Sequence, residues 1–226
     1  MAATQYSIVE ALPQDMLAEI LSRVGRDSCQ QLFLTKTVCR DFSEVSFDPL
    51  VFKRLCLDRF PIVHFGNPKL TMLFDRCFFY GNPNMIYRRG LTCYFNSHDY
   101  TELGLRLLKQ ATEMKVLEAV YVYGLIMFAK HEIKFRDVGL QILIEAFPPL
   151  PDLVVAVRNR VFAMLSRLWL FNRQPFEEVA TRCPNLAHQG YWPDAHGWEQ
   201  QLQPPDCMSC FWAFELGVFV QRFHYQ

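Results

Sequence analysis

The stretch LPQDMLAEILSRVGRDSCQQLFLTKTVCRDFSEVSFDPLVFKRLCL, residues 12–57, decides the fold of this chain. Leu12-Pro13 begins it, and proline suits the first turn of a helix because its missing N–H would have no partner there. Apolar residues follow at helical spacing and predict one apolar stripe: Met16, Leu17, Ile20, Leu21 and Val24. Gly25 comes directly after the stripe, so we expect it to end the first helix in a left-handed conformation.

Three further short helices are predicted in the same stretch. Ser28 with Gln31 three positions later has the capping-box pattern that starts a second helix. A third apolar pattern runs from Val38 to Val45, and Asp48-Pro49 restarts the chain into a fourth. A unit of this size buries only about 60% of its unfolded surface. Its apolar side chains therefore form either an ordinary helical N-terminal layer or a face for a partner.

The order and spacing of these residues resemble an F-box, the motif by which substrate-receptor subunits dock on the Skp-type adaptor of cullin-RING ubiquitin ligases. The matching residues are Leu12-Pro13, Asp15, Leu17, Glu19-Ile20-Leu21, Val24, Val38-Cys39-Arg40, Phe42, and Asp48-Pro49 before Val51. The tryptophan that many F-boxes carry shortly after the Cys-Arg run is absent, and Phe47 and Phe52 are the nearby aromatic residues. The resemblance implies an F-box at residues 1–60. It also implies an adaptor-binding set of Leu12, Pro13, Leu17, Ile20, Leu21, Val24, Val38, Cys39 and Phe42.

Composition limits the remaining possibilities. The 226 residues are 51% apolar and 20% charged, which is typical of a globular protein. Because 23 basic residues balance 23 acidic ones, we expect no nucleic-acid partner, since binding to phosphates requires a basic excess. We expect no membrane span, as the apolar runs are shorter than the roughly 20 residues that one needs. No secretory signal is visible and eight cysteines are scattered, which indicates reduced thiols in the cytoplasm or nucleus.

A repeat begins near Asn82, after a linker and capping helix expected at residues 61–81. Two copies separated by 34 or 35 residues span 82–147, each with a tyrosine and two glycines. The repeat-packing residues are Tyr87, Gly90 and Gly104 in the first copy and Tyr121, Gly124 and Gly139 in the second. A glycine lets a neighbouring helix approach closely, which outweighs its helix penalty of about 1 kcal/mol. The pattern resembles the Sel-like branch of tetratricopeptide-type repeats; plain helical-hairpin packing without a binding role is the alternative.

The C-terminal part, residues 148–226, is predicted to contain helices and a loop-rich cap. Asp152 is placed to cap a long helix, and the arginines of that helix, Arg158, Arg160 and Arg167, suggest a solvated face or, less simply, a phosphopeptide site. A short helix is expected at 176–181. A last apolar stripe from Phe211 to Phe223 predicts a final helix.

Cys207 and Cys210 form a CxxC pair, which is half of a tetrahedral zinc site. The other half would come from among Cys183, His188, His196 and His224, but their spacing matches no zinc motif. Two small apolar residues at the start of the final helix are the simpler interpretation, so we predict no metal and no cofactor. No GxSxG, Walker loop, GxGxxG or HExxH occurs, and we expect no enzyme activity.

These observations predict an all-α protein with an N-terminal three- to four-helix F-box, a short α-solenoid-like repeat domain and a loop-rich C-terminal cap. The arrangement resembles plant F-box proteins that carry Sel-like repeats. That resemblance implies a non-catalytic substrate receptor of an SCF-type ubiquitin ligase, with a Skp-type adaptor, through it a cullin, and an unknown protein target as partners. The alternative is an interaction scaffold that uses its repeats outside any ligase.

Overall fold

The structure of the protein is a computed structural model that describes residues 12–62, 66–96, 99–147, 151–168 and 207–224. Within these ranges all regular secondary structure is helical, which confirms the predicted all-α class. The helices are α1 Gln14–Asp27, α2 Cys29–Thr35, α3 Arg40–Val45, α4 Pro49–Arg54, α5 Pro68–Phe79, α6 Pro83–Asn96, α7 Thr101–Glu113, α8 Leu117–Phe128, α9 Ile133–Ala146, α10 Pro151–Leu165 and α11 Met208–His224.

Side-chain caps set the starts of the short N-terminal helices. The Ser28 hydroxyl accepts a hydrogen bond from the Gln31 N–H at 3.3 Å and begins α2. The Cys39 sulfur accepts one from Phe42 at 3.5 Å, and an Asp48 carboxylate oxygen accepts one from Leu50 at 2.8 Å. Each cap satisfies a backbone N–H that the first helical turn leaves without a partner. The predicted starts at Ser28 and Asp48 are confirmed.

Gly25 does not end α1, so that prediction is wrong. The helix continues to Asp27, and Gly25 is buried inside it. A Cβ added to Gly25 would lie 3.2 Å from Cδ2 of Leu32 and 3.4 Å from Cδ1 of Leu55. The Gly25 carbonyl also accepts a hydrogen bond from Cys56 at 2.9 Å. The missing Cβ at Gly25 therefore gives room for the close packing of Leu32 and Leu55 on α1.

The chain divides into two compact units, residues 1–88 and 89–226. In the first unit α5 contributes Phe74 and Cys77 to the same core as the residues of α1–α4. We predicted an F-box ending at residue 60 and a linker with a capping helix at 61–81. In the structure α5 instead packs on the core of the first unit, where its Phe74 and Cys77 are buried.

Two polar side chains, one directly before α6 and one within it, bind backbone carbonyls of α4 and of the residues after it. The Asn82 side-chain amide donates to the carbonyls of Phe52 at 2.8 Å and Leu55 at 2.9 Å, while its own oxygen accepts from Met85 at 3.1 Å. The Arg88 guanidinium donates to the carbonyls of Leu57 and Phe60. Both side chains are buried, and these bonds offset the cost of removing them from water.

In the second unit α8 is the central helix. All of its residues from Ala119 to Phe128 are buried. It packs against α7 and α9, and also against α10, while α11 packs on α9. The four repeat helices and the final helix occur where the sequence predicts them. The predicted helix at 176–181 and the loop-rich segment lie outside the described residues.

Among the helices that the structure describes, none is long and apolar enough to cross a membrane.

Candidate protein-interaction surface

The nine predicted adaptor-binding residues fall into groups of different exposure. Leu17 and Leu21 are only 3% and 1% exposed and belong to the core of the first unit. The structure corrects the prediction for these two, because a side chain enclosed by its own unit offers no surface to a partner. Leu12, Val24 and Phe42 are partly buried and pack against that core.

The remaining members of the predicted set reach the surface or cap a helix. Ile20 is 44% exposed and Val38 is 70% exposed, while Pro13 is exposed directly before α1. Cys39 is half-buried because it caps α3. Large exposed aliphatic side chains with no polar role are typical of contact surfaces when they cluster.

Met16 is an exposed residue that the prediction of the contact set left out. It lies one turn before Ile20 on α1, and residues four apart share a helix face. Met16 and Ile20 lie at one edge of the apolar stripe, whereas Leu17 and Leu21 lie at the other edge. The width of the apolar stripe could have indicated an exposed edge, because one packed neighbour covers a face narrower than this stripe.

A charged cluster fixes α1 to α4 beside Ile20. Glu19 accepts hydrogen bonds from Arg54 at 2.7 Å and from Arg23 at 3.0 Å. Arg54 also donates to the Ser22 hydroxyl at 3.1 Å. The bond from Arg54, and then that from Arg23, lowers the pKa of the Glu19 carboxyl. The cluster links α1 to α4 next to the exposed Ile20.

The repeat-packing glycines form matched contacts in the second unit. A Cβ on Gly104 would collide with the backbone of Tyr94, and a Cβ on Gly139 would collide with the backbone of Phe128, which is 34 residues after Tyr94. Likewise Gly90 faces Leu108. In the second copy the corresponding glycine, Gly124, faces Leu143, and its added Cβ would lie 2.6 Å from Cγ of that residue. The contact of α6 with α7 thus recurs between α8 and α9. Tyr87 and Tyr121, the tyrosines of the two copies, are both buried.

A buried polar network joins three helices of the second unit. Glu215 on α11 accepts hydrogen bonds from the Arg158 guanidinium at 2.8 Å and the Tyr121 hydroxyl at 3.1 Å. The predicted solvated face is therefore wrong for Arg158, whose partner lies 57 residues away. Arg160 pairs with Glu118. Burial raises the pKa of Glu215, while Arg158 and Tyr121 act in the opposite direction.

The structure places Cys207 just before α11 and buries Cys210 in its first turn. No group of three or more potential metal ligands occurs within the described ranges. Of the other zinc candidates, Cys183, His188 and His196 lie outside those ranges, and so does the side chain of His224.

The described residues thus form a helical first unit, which carries the F-box-like sequence pattern, and a second unit built from paired helices. A family model of plant tetratrico peptide repeats matches residues 57–166. A putative F-box protein of Arabidopsis thaliana is 29% identical over 135 residues, which cover 60% of this chain and 45% of that protein. A second F-box protein of Arabidopsis thaliana is 27% identical over 126 residues, covering 56% of this chain and 77% of the relative. No solved structure matches the chain.

The predicted resemblance to plant F-box proteins with helical repeats is therefore confirmed. The matched region spans less than half of the length of the first of these relatives.

Proposed function

We propose that this chain is a substrate-receptor subunit of an SCF-type cullin-RING ubiquitin ligase. In this function the first unit docks on a Skp-type adaptor, and the adaptor connects it to a cullin. The protein itself catalyses no step. It holds a target protein close to the ubiquitin-conjugating enzyme and so raises the effective concentration of the target's lysines.

The exposure of Ile20 and Val38 is the observation that carries this proposal. The first unit has a complete core, yet it leaves these two aliphatic side chains in water at the positions where the F-box pattern expects contact with the adaptor. Full burial of one such side chain contributes about 1.5–3 kcal/mol. Ile20 and Val38, together with Met16 one turn before Ile20 on α1, would anchor the interface.

The second unit offers a surface for the target. A groove of about 640 Å³ lies along α7, α8 and α9, with Phe135, Val138 and Ile142 among its lining residues. Phe135 and Val138 are exposed. Its polar lining has both signs of charge, with Lys109 and Glu113 as examples. Apolar grooves on helical repeats suit peptide segments, and we assign target binding to this groove within the proposal.

Co-purification tests the proposal and also separates it from a scaffold outside any ligase. The tagged full chain is expressed in plant cells, and the proteins that it retains are identified by mass spectrometry. The ligase proposal predicts a Skp-type adaptor and a cullin in the retained set, together with a target whose abundance rises when this protein is depleted. A retained set with a stable partner but no adaptor would support the scaffold instead.

A further inference from the structure

A second apolar groove lies within the first unit, between α2, α5 and the turn before α4. Its volume is about 480 Å³, within the usual range for sites that take a side chain or a small ligand. Core residues supply the floor: Leu32, Val51, Phe52 and Leu55, all of which are buried. None of the nine predicted adaptor-binding residues lines it. The groove is therefore a feature separate from the surface proposed for the adaptor.

Large apolar side chains at the rim of the groove remain in water. Phe33, Phe47 and Met72 line it and are 40%, 52% and 60% exposed. Phe47 and Phe33 come from the F-box stretch, whereas Met72 comes from α5. Such a rim loses unfavourable hydration when an apolar group enters, which favours a ligand with a large hydrophobic side chain.

Three cations border the same groove, and no carboxylate of the described residues lines it. They are Lys36, Lys69 and Arg76. The Lys36 Nζ lies 4.2 Å from the centre of the Phe47 ring, and the Arg76 guanidinium carbon lies 5.6 Å from the same centre. Lys36 and Arg76 thus both border the Phe47 ring, and their like charges repel each other.

The charges around Lys36 also favour an anionic ligand. Burial first, and then the positive charge of Arg76, lowers the pKa of Lys36. No salt bridge within the described ranges compensates Lys36, Lys69 or Arg76. An anionic group placed between Lys36 and Arg76 would relieve their repulsion and gain two charge-assisted hydrogen bonds.

We propose that this groove binds an acidic peptide segment of a partner protein, which inserts one large apolar side chain between Phe33, Phe47 and Met72 and places carboxylates against Lys36 and Arg76. The apolar floor supplies affinity, and the cations select for acidic flanks. The inference does not depend on the proposed ligase function, since it uses other residues and another ligand.

Fluorescence polarisation with the full chain tests this proposal. The probe is a fluorescein-labelled peptide, DEWLDE, and the comparison peptides are DEGSDE, which lacks the apolar side chains, and KKWLKK, which has the opposite charge. We expect saturable binding of DEWLDE and at least about tenfold weaker binding of both comparison peptides, since each lacks one of the two complementary features. Equal binding of DEWLDE and DEGSDE, or no saturation by about 1 mM DEWLDE, would overturn the proposal.

Variants of the groove locate the binding. Lys36→Glu with Arg76→Glu is expected to weaken DEWLDE binding by about tenfold or more and to improve that of KKWLKK. The matched control is Lys53→Glu with Lys130→Glu, which makes the same change in net charge at exposed lysines outside the groove. Equal loss in both double variants would show general electrostatic attraction and would overturn the proposal. Phe47→Ser, an exposed position, should weaken binding by about fivefold with an unchanged circular dichroism spectrum.

Two further measurements exclude other occupants of the groove. Saturation of the chain with a Skp-type adaptor is expected to leave the affinity for DEWLDE unchanged within about twofold, whereas competition would assign the groove to the adaptor interface and overturn the proposal. If no adaptor binds the chain, the peptide measurements still test the groove, because they do not use the adaptor. Light scattering should show one mass for wild type and the Lys36→Glu, Arg76→Glu variant. A dimer that dissociates only in the variant would assign the groove to a second copy.

Discussion

A Cβ placed on Gly139 would lie 2.7 Å from the carbonyl oxygen of Gly124, so α8 and α9 meet through the backbones of two glycines. The same hypothetical Cβ would also collide with the backbone N of Phe128. Backbone atoms of a central buried helix cannot move aside as the end of a flexible side chain can. This contact fixes how closely the second pair of repeat helices packs.

Gly139→Ala is expected to destabilise the protein by about 2–4 kcal/mol, because the added methyl group must push α9 away from α8. Gly104→Ala should have a similar cost, since its Cβ would meet the backbone of Tyr94. Urea denaturation followed by circular dichroism measures both.

Gly90→Ala is the matched control for these two variants. Its Cβ would lie 3.1 Å from Cγ and from the backbone N of Leu108, so a shift of a few tenths of an ångström relieves the contact. Alanine also favours the helix over glycine by up to about 1 kcal/mol. We expect a net change within about 1 kcal/mol of zero. Equal destabilisation by Gly90→Ala and Gly139→Ala would contradict the packing described for the repeats.

Asn82→Ala should destabilise the first unit by about 2–4 kcal/mol. The change removes two donors from the carbonyls of Phe52 and Leu55 and also the cap of α6. Asn67→Ala is the control, because Asn67 also caps a helix, with Leu70 as its donor, but is exposed. Its cost should be about 1 kcal/mol. Urea midpoints that differ little between the two variants would show that the bonds to Phe52 and Leu55 contribute nothing.

Glu215→Leu should destabilise the second unit by about 3–5 kcal/mol. The leucine leaves the Arg158 guanidinium without its carboxylate in an environment where that side chain is mostly buried. Glu145→Leu, an exposed position on α9, is the control and should change stability by less than about 0.5 kcal/mol. Thermal denaturation of the two variants gives the comparison.

The raised pKa of Glu215 predicts a pH dependence. The folded state holds this proton more tightly than the unfolded state, whose carboxyl has the ordinary pKa of 4.5. The stability from this group is thus fully present below pH 4.5 and is lost as the pH rises through the raised pKa. Relative to Glu215→Gln, which does not titrate, wild type should lose unfolding free energy from pH 4.5 upward. A difference that grows with pH would mean that Arg158 lowers this pKa in the folded protein.

Local features of the fold were predictable from the sequence, and contacts over long separations were not. The caps at Ser28 and Asp48 follow from side chains that bond to an N–H two or three residues away. Arg158 was misassigned because its partner, Glu215, is distant in the sequence. Gly25 was misassigned because glycine serves both at helix ends and at close contacts, and only the positions of Leu32 and Leu55 show which applies.

Which residues of the apolar stripe on α1 are buried and which are exposed was likewise not predictable from the sequence. Periodicity places Leu17, Ile20 and Leu21 near one another on the helix surface, but it does not say which of them the first unit covers by itself. That depends on the packing of α1 against α2, α3 and α4, which places Leu17 and Leu21 in the core. The predicted set includes Ile20 and Val38 but not Met16, and only the exposure of Ile20 and Val38 separates them from the buried Leu17 and Leu21. Contact of these residues with an adaptor stays a prediction.

Binding of a purified Skp-type adaptor to the full chain, measured by calorimetry, tests the central claim most directly. Ile20→Glu with Val38→Glu places two charges on exposed F-box positions and should weaken binding by at least about a hundredfold, while the helical spectrum stays unchanged. Ile133→Glu, at a residue of the second unit that is 67% exposed, should leave the affinity unchanged within about twofold. Adaptor binding that the double variant retains at wild-type strength would contradict the account.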